Sequence, residues 1–118
     1  MIRFKKYILK AIIIETEVLK IMMIHDYIEK NVAAITVVNT MQDALQLIES
    51  ERFEYVFLNH HICDVRSTHF ISKIREKQKN TKCISISNDF YTERTFKELG
   101  YDDVFKFPFR KSVERIFE

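Results

Sequence analysis

A chain of 118 residues is long enough for one domain with a continuous hydrophobic core, and we treat residues 1–118 as a single domain. Hydrophobic residues make up 47% of the chain and charged residues 31%, which is typical of a soluble globular protein and argues against disorder. A net charge of +2, spread along the chain, argues against dedicated nucleic-acid binding. The apolar runs are too short to span a membrane, and no export signal is evident, so we expect a cytoplasmic location.

The first half of the chain alternates short apolar runs with longer amphipathic stretches. The β-branched run at residues 8–14 predicts a buried strand, and helical spacing follows over residues 18–30. A second short strand is predicted at residues 35–38. Asn39 or Thr40 then caps a helix that runs to about Ser50. A third apolar strand follows at residues 55–58.

The second half repeats this alternation. Helical spacing is predicted for residues 68–79 and for residues 91–99, where Gly100 stands at the position that ends the helix. Strands are predicted at residues 83–86 and 103–106, and a final helix covers the C-terminal residues 109–118. Five strands alternating with helices indicate an α/β fold with a parallel sheet that is covered on both faces.

In such a sheet the ligand crevice lies at the carboxyl ends of the strands. Four of the predicted strands are followed directly by candidate residues. These are Glu15 and Thr16 after the first strand, Asn59 after the third, Ser87 after the fourth and Phe107 after the fifth. The sequence therefore predicts that any functional site lies among these side chains.

Several fragments of the chain, taken in their order and spacing, resemble a response-regulator receiver domain of the chemotaxis-regulator type. The fragments are IIIETE, QDALQLIESERFEYVFLNHHICDV, ISKIREKQKNTKCISIS and ELGYDDVFKFPF. The resemblance covers nearly the whole chain. It implies a doubly wound, flavodoxin-like sheet of five strands in the order 2-1-3-4-5.

The resemblance also implies a phosphorylation pocket, and this sequence departs from it. Glu15 fills the first of two acidic positions, but Thr16 stands at the second. Asn59 stands at the phosphoacceptor aspartate and Phe107 at the lysine before Pro108, while Ser87 matches the expected hydroxyl. An asparagine amide is not a nucleophile for acyl-phosphate chemistry. We therefore interpret the pocket as vestigial and expect Phe107 to pack into it. Alternatively, Glu15 is simply a solvated acid before a helix.

The resulting prediction is a pseudo-receiver that binds a protein partner without phosphorylation, has no enzymatic activity and needs no cofactor or metal. The usual partner face of receivers is helix four, strand five and helix five. The resemblance places five candidate contact residues there, namely Tyr91, Phe96, Lys97, Phe105 and Arg110.

Helix one carries more apolar residues than one buried face requires. One stripe at helical spacing comprises Met23, Ile24, Tyr27 and Ile28, and a second arc comprises Val18, Ile21 and Met22. The second arc predicts a self-association or partner surface, with a homodimer as one possibility. The competing interpretation is that the apolar residues of segment 1–7 cover it.

Two other functions are open on the sequence. A metal- or small-ligand-sensing domain would use Glu15, His61 and Ser87, because imidazole and carboxylate groups bind metals. A weak hydrolase would pair Cys63 with His61, although no third group is evident to orient that pair.

Overall fold

The structure is a computed structural model that describes residues 9–59, 67–86 and 93–118. In these ranges five strands alternate with five α-helices, and a short 3₁₀ helix (Glu29–Asn31) follows the first helix. The elements in chain order are β1 (Lys10–Ile14), α1 (Val18–Ile28), β2 (Ala34–Val38), α2 (Met41–Ser50), β3 (Tyr55–Asn59), α3 (Ser67–Lys77), β4 (Lys82–Ile86), α4 (Glu93–Glu98), β5 (Asp103–Phe105) and α5 (Phe109–Phe117).

All five strands are parallel and lie in the order β2-β1-β3-β4-β5, which confirms the predicted topology. The register places Ile14 opposite Leu58, and Asn59 opposite Ile86. Each strand therefore ends at nearly the same level. The carboxyl ends of β1, β3, β4 and β5 meet along one edge of the sheet.

The sheet separates two hydrophobic clusters, because successive side chains of a strand point to opposite faces. On one face Ile12 and Ile14 pack in the cluster that includes residues of α2 and α3, such as Ala44 and Ile74. On the other face Ile13 packs with residues of α1 and α5. Burial on both faces explains why the central strands are almost continuously apolar rather than alternating.

Local sequence determines where the helices begin and end. Thr40 caps α2, since its hydroxyl accepts a hydrogen bond from the backbone N–H of Asp43 at 3.1 Å. Asn39, the other candidate cap, instead donates from its side-chain amide to the carbonyl of Glu15 at 2.8 Å. Gly100 has a φ of +104°, the backbone conformation predicted for the residue that ends α4.

Cys83, near the beginning of β4, is fully buried. Burial raises the pKa of its thiol to about 12, because the thiolate would lose its hydration, and neighbouring Asp102 raises it further while Arg75 opposes the change. A thiol held in its protonated form is a poor nucleophile, so Cys83 is a packing residue. None of the helices in the described parts of the chain is long and apolar enough to cross a membrane.

Candidate functional site

The carboxyl edge of the sheet brings together the residues that follow β1 and β3. Glu15 comes directly after Ile14, and Asn59 is the last residue of β3, on the neighbouring strand. Asn59 is buried, and Phe107 follows β5 by two residues on the far side of β4. The topology thus gathers four of the five predicted pocket residues along one edge, namely Glu15, Thr16, Asn59 and Phe107.

Glu15 is fully buried, so the interpretation of this residue as a solvated acid is wrong. Its backbone N–H donates to the carbonyl of Val38 at 3.1 Å, which fixes it at the end of the β1–β2 pair. One carboxylate oxygen, Oε1, accepts a long hydrogen bond of 3.3 Å from the backbone N–H of Glu17. The other, Oε2, is buried and has no hydrogen-bond partner among the residues that the structure describes. A buried carboxylate oxygen without a partner is energetically costly.

The resemblance to receivers implies a divalent cation in the pocket, and the oxygen atoms at this edge would have to be its ligands. Mg²⁺ prefers oxygen ligands, and its sites in proteins commonly include one or two carboxylates. The orphaned oxygen of Glu15 could serve as one ligand. Thr16 is exposed and offers a hydroxyl, and Asn59 offers an uncharged amide oxygen. Among the residues that the structure describes, Glu15 is the only buried acid at this edge, since Glu17 is exposed and pairs with Lys20. The set therefore does not fit a receiver-type Mg²⁺ site.

Phe107 does not pack into the pocket, contrary to the expectation from sequence. Its side chain is 79% exposed and contacts Phe109 edge-on, with ring centroids 5.8 Å apart. The physical reason is its position beyond the end of β5: the strand stops at Phe105, so Phe107 lies in a connection at the surface. Phe107 therefore does not close the crevice. It also carries no charge at the position where the resemblance to receivers implies a lysine.

Several predicted site residues lie outside the described part of the chain. These are Ser87 of the pocket, His61 and Cys63 of the two alternative sites, and Tyr91 of the partner face. Phe96 belongs to α4, but its side chain is also outside the description. Of the residues in the metal-sensing hypothesis only Glu15 belongs to the described part of the chain, and of those in the hydrolase hypothesis none does.

The predicted partner face on α4, β5 and α5 is corrected at one position. Phe105 is only 1% exposed and lies in the core against Phe57, Tyr27 and Phe109, so it cannot contact a partner. Lys97 and Arg110 are exposed, as that prediction requires. Sequence periodicity could have separated these residues, because strand alternation sends Phe105 to the face that α1 and α5 cover.

The second apolar arc of α1 does reach solvent. Val18 is 67% exposed and Met22 57% exposed, whereas Ile21 is partly buried. Leu19, which is not one of the residues of the predicted arc, is 81% exposed and extends this apolar surface. We call Val18, Leu19 and Met22 the α1 surface. Of the first arc, Ile24 and Ile28 are buried, while Tyr27 is 41% exposed beside Phe109.

One further group of metal-capable side chains lies at the C-terminal end of α1. The potential ligand atoms of His25, Asp26 and Glu29 lie within 4.8 Å of one another, and His25 Nδ1 is 3.5 Å from Glu29 Oε2. Asp26 and Glu29 are exposed and His25 is partly exposed. Exposed acids beside a histidine are common without any metal, and the i, i+4 pair is explained by helix geometry alone.

Replacing Glu15 by methionine is expected to raise the free energy of unfolding by about 1–3 kcal/mol. Methionine keeps the chain length while removing a buried carboxylate whose Oε2 has no partner among the described residues. The matched control is Glu17→Met, an exposed site whose ion pair with Lys20 should contribute little. Urea unfolding at equilibrium measures both. Destabilisation by Glu15→Met would show that the carboxylate is satisfied in solution, for example by a cation.

The whole fold is similar to solved receiver structures. A response regulator from Thermotoga maritima has a TM-score of 0.74 at 20% sequence identity, and the match covers 92% of this chain and 93% of that one. An orphan response regulator of H. pylori has a TM-score of 0.73 at 21% identity, covering 94% and 95%. The receiver domain of a sensor histidine kinase from Pseudomonas aeruginosa, with a magnesium ion coordinated in its active-site cleft, has a TM-score of 0.71 at 18% identity, covering 92% and 93%.

At sequence identities of about 20% these similarities show a shared fold only. No protein-family model and no curated protein sequence matches the chain. The agreement is nevertheless complete at the level of architecture, because strand number, direction and order coincide with the order 2-1-3-4-5 that the sequence fragments implied. The chain has the fold of the response-regulator receiver domains.

Proposed function

We propose that this chain is a degenerate receiver that works in the bacterial cytoplasm, in two-component signalling or transcriptional regulation, by binding a protein and not by accepting a phosphoryl group. The proposal rests above all on Asn59. This residue ends β3 and is buried at the carboxyl edge of the sheet, where the resemblance to receivers calls for a nucleophilic aspartate. An amide cannot form the acyl phosphate, and it carries no charge to help hold a cation.

Two further positions support the same proposal. Thr16, in place of a second acid, is exposed and adds no negative charge. Phe107, in place of the lysine before Pro108, carries an exposed ring instead of an ammonium group. In phosphoryl transfer, cations stabilise the charge on the transferred group, so the loss of both features would disable the pocket even with an aspartate present.

The test is phosphorylation by acetyl phosphate with Mg²⁺, followed by mass spectrometry of the intact protein. The wild-type chain is expected to gain no phosphoryl group. The single variant Asn59→Asp is also expected to remain unlabelled, because Thr16 and Phe107 are unchanged. The triple variant Thr16→Asp, Asn59→Asp, Phe107→Lys is the positive control and should become labelled. Labelling of the wild-type chain or robust labelling of the single variant would contradict the proposal.

We extend the proposal to the surface through which the domain would bind. The α1 surface presents large apolar side chains to water, and burying each of them in an interface would gain about 1.5–3 kcal/mol. Continuous apolar patches on a folded domain commonly mark an association site. We propose that the α1 surface pairs two copies of this chain, and that Lys97 and Arg110 remain available to a different partner.

Sedimentation velocity over a range of protein concentrations tests this pairing. Met22→Glu is expected to shift the protein toward the monomer with little change in melting temperature, because Met22 is already largely exposed in the single chain. Asn80→Glu, which adds the same charge at an exposed loop position, should leave the association unchanged. A wild-type chain that stays monomeric at every concentration would contradict self-association through α1.

A further inference from the structure

A groove of about 300 Å³ lies between α2 and α3, on the opposite face of the sheet from α1. Its base is formed by Met41 and Phe70, which belong to the hydrophobic core, and by Leu45, which is partly exposed. The volume lies at the lower end of the range for small-molecule sites in proteins, about 300–1,000 Å³. The groove is separate from the pocket at the carboxyl edge of the sheet, and none of its lining residues belongs to that pocket.

The walls of the groove are polar, and Lys73 supplies a cation that no neighbouring acid in the described ranges pairs with. Lys73 of α3 lines the groove and makes no ion pair within the described part of the chain. The one acidic lining residue, Glu49 of α2, has its carboxylate 4.0 Å from the ammonium of Lys77 and not beside Lys73, so Lys77 offsets part of its charge. His69 lies one helical turn before Lys73 on the same wall and offers imidazole nitrogens for hydrogen bonding.

The opposite wall supplies neutral hydrogen-bonding groups. Gln42 and Gln46 of α2 line the groove, one turn apart, and each side-chain amide offers both donors and an acceptor. Interfaces with other proteins are depleted of charged residues at their centre, whereas this groove has a narrow apolar base between charged and amide walls. That arrangement suits a small molecule with an apolar body and an anionic end.

We propose that the groove between α2 and α3 binds a small amphipathic carboxylate. Its apolar part lies over Leu45 and the core residues beneath it, its carboxylate pairs with Lys73, and amide groups of Gln42 or Gln46 complete the hydrogen bonds. This site would give the domain a ligand input that does not depend on phosphoryl chemistry.

The experiment uses the full chain, labelled with ¹⁵N, and octanoate as the probe, with octanol as an uncharged probe of the same chain length. Octanoate is expected to shift the amide signals of α2 and α3 selectively. Lys73→Gln should weaken octanoate binding about two- to fivefold and leave octanol binding unchanged, because the ammonium acts only on the charged end. Gln46→Glu, which places an acid opposite Lys73, should weaken octanoate in the same selective way.

Lys30→Gln, at an exposed position that does not line the groove, is the matched control and should leave both affinities unchanged. The proposal is wrong if millimolar octanoate shifts no signals, if the shifts lie outside α2 and α3, or if Lys73→Gln affects octanoate and octanol alike. It is equally wrong if the groove signals shift with protein concentration in the absence of a probe, since a second copy of the chain then occupies the groove.

Discussion

Replacing Phe105 by alanine is expected to lower the free energy of unfolding by about 3–5 kcal/mol, whereas the same change at Phe107 should alter it by less than about 0.5 kcal/mol. The two residues are two positions apart and of the same type, but Phe105 is 1% exposed and Phe107 79% exposed. Phe105 stacks on Phe109 at 5.2 Å and meets Phe57 and Tyr27 edge-on, each at 6.1 Å. Its loss leaves a cavity among those rings.

Equilibrium unfolding in urea, followed by circular dichroism, measures both changes. An unchanged slope of free energy against urea concentration would show that the variants differ in stability and not in compactness. Similar midpoints for the two variants would contradict the assignment of Phe105 to the core and Phe107 to the surface. That result would restore Phe107 as a residue that fills the pocket.

The other large effect is expected at Gln78, which joins the backbone stretch from Ile48 to Phe53 to the segment that leads into β4, at the amino-terminal edge of the sheet. Its Oε1 accepts hydrogen bonds from the backbone N–H of Phe53 at 2.9 Å and from the hydroxyl of Thr81 at 3.1 Å. Its Nε2 donates to the carbonyls of Ile48 at 2.8 Å and Glu51 at 2.6 Å. The single hydroxyl hydrogen of Thr81 is shared between the Oε1 of Gln78 and the carbonyl of Phe53, which lies closer, at 2.6 Å. Because Gln78 is buried, water cannot replace these bonds.

Gln78→Glu is expected to lower the free energy of unfolding by about 3–5 kcal/mol at neutral pH, although the two side chains are nearly identical in shape. In the glutamate variant one carboxylate oxygen still accepts from the backbone N–H of Phe53. The other oxygen replaces the amide NH₂ and faces the carbonyl oxygens of Ile48 and Glu51, which cannot donate to it. The buried negative charge is therefore not compensated. The matched control is Gln46→Glu on the exposed side of α2, expected to change stability by less than about 0.5 kcal/mol.

Urea unfolding of the two variants side by side provides the measurement. Equal midpoints would contradict the importance of this network and would imply that the edge near Phe53 opens easily to water. The network also explains a buried glutamine that hydrophobic patterning alone does not account for. Three of the hydrogen-bond partners of the Gln78 side chain, Phe53, Ile48 and Glu51, lie at least 25 residues away along the chain. The fourth partner, Thr81, is a near neighbour.

The sequence predicted the elements well because their signals are local. Period and length identified every strand and helix that the structure describes, with ends within a few residues. The largest differences come from short-range geometry: the first helix ends at Ile28 and continues as a 3₁₀ turn, and the first strand starts at Lys10 in the described part. Gly100 was identified as a helix end, and Thr40 as one of two candidate caps, from their own chemistry, which depends only on neighbouring residues.

The candidate site was predictable only in part. The strand ends located Glu15 and Asn59 correctly, because the carboxyl ends of parallel strands always share one edge. The burial of Glu15 was not predictable, since it depends on how the segment after β1 packs against β2 and Asn39. The exposure of Phe107 was missed for a similar reason. Its hydrophobicity favoured burial, but the strand ends two residues earlier.

The sequence by itself indicated the α/β class and the parallel sheet, because these follow from periodicity, while the strand order 2-1-3-4-5 was implied by the resemblance to receivers and is confirmed by the structure. The proposal that the pocket is vestigial likewise began from residue identity at the strand ends. Only the tertiary structure decided which apolar side chains are left in water. Leu19 and Phe107 are as hydrophobic as Ile24 and Phe105, and burial depends on which neighbours the fold brings over each one. The groove between α2 and α3 is likewise invisible in the sequence, since it exists only where two helices distant along the chain lie side by side.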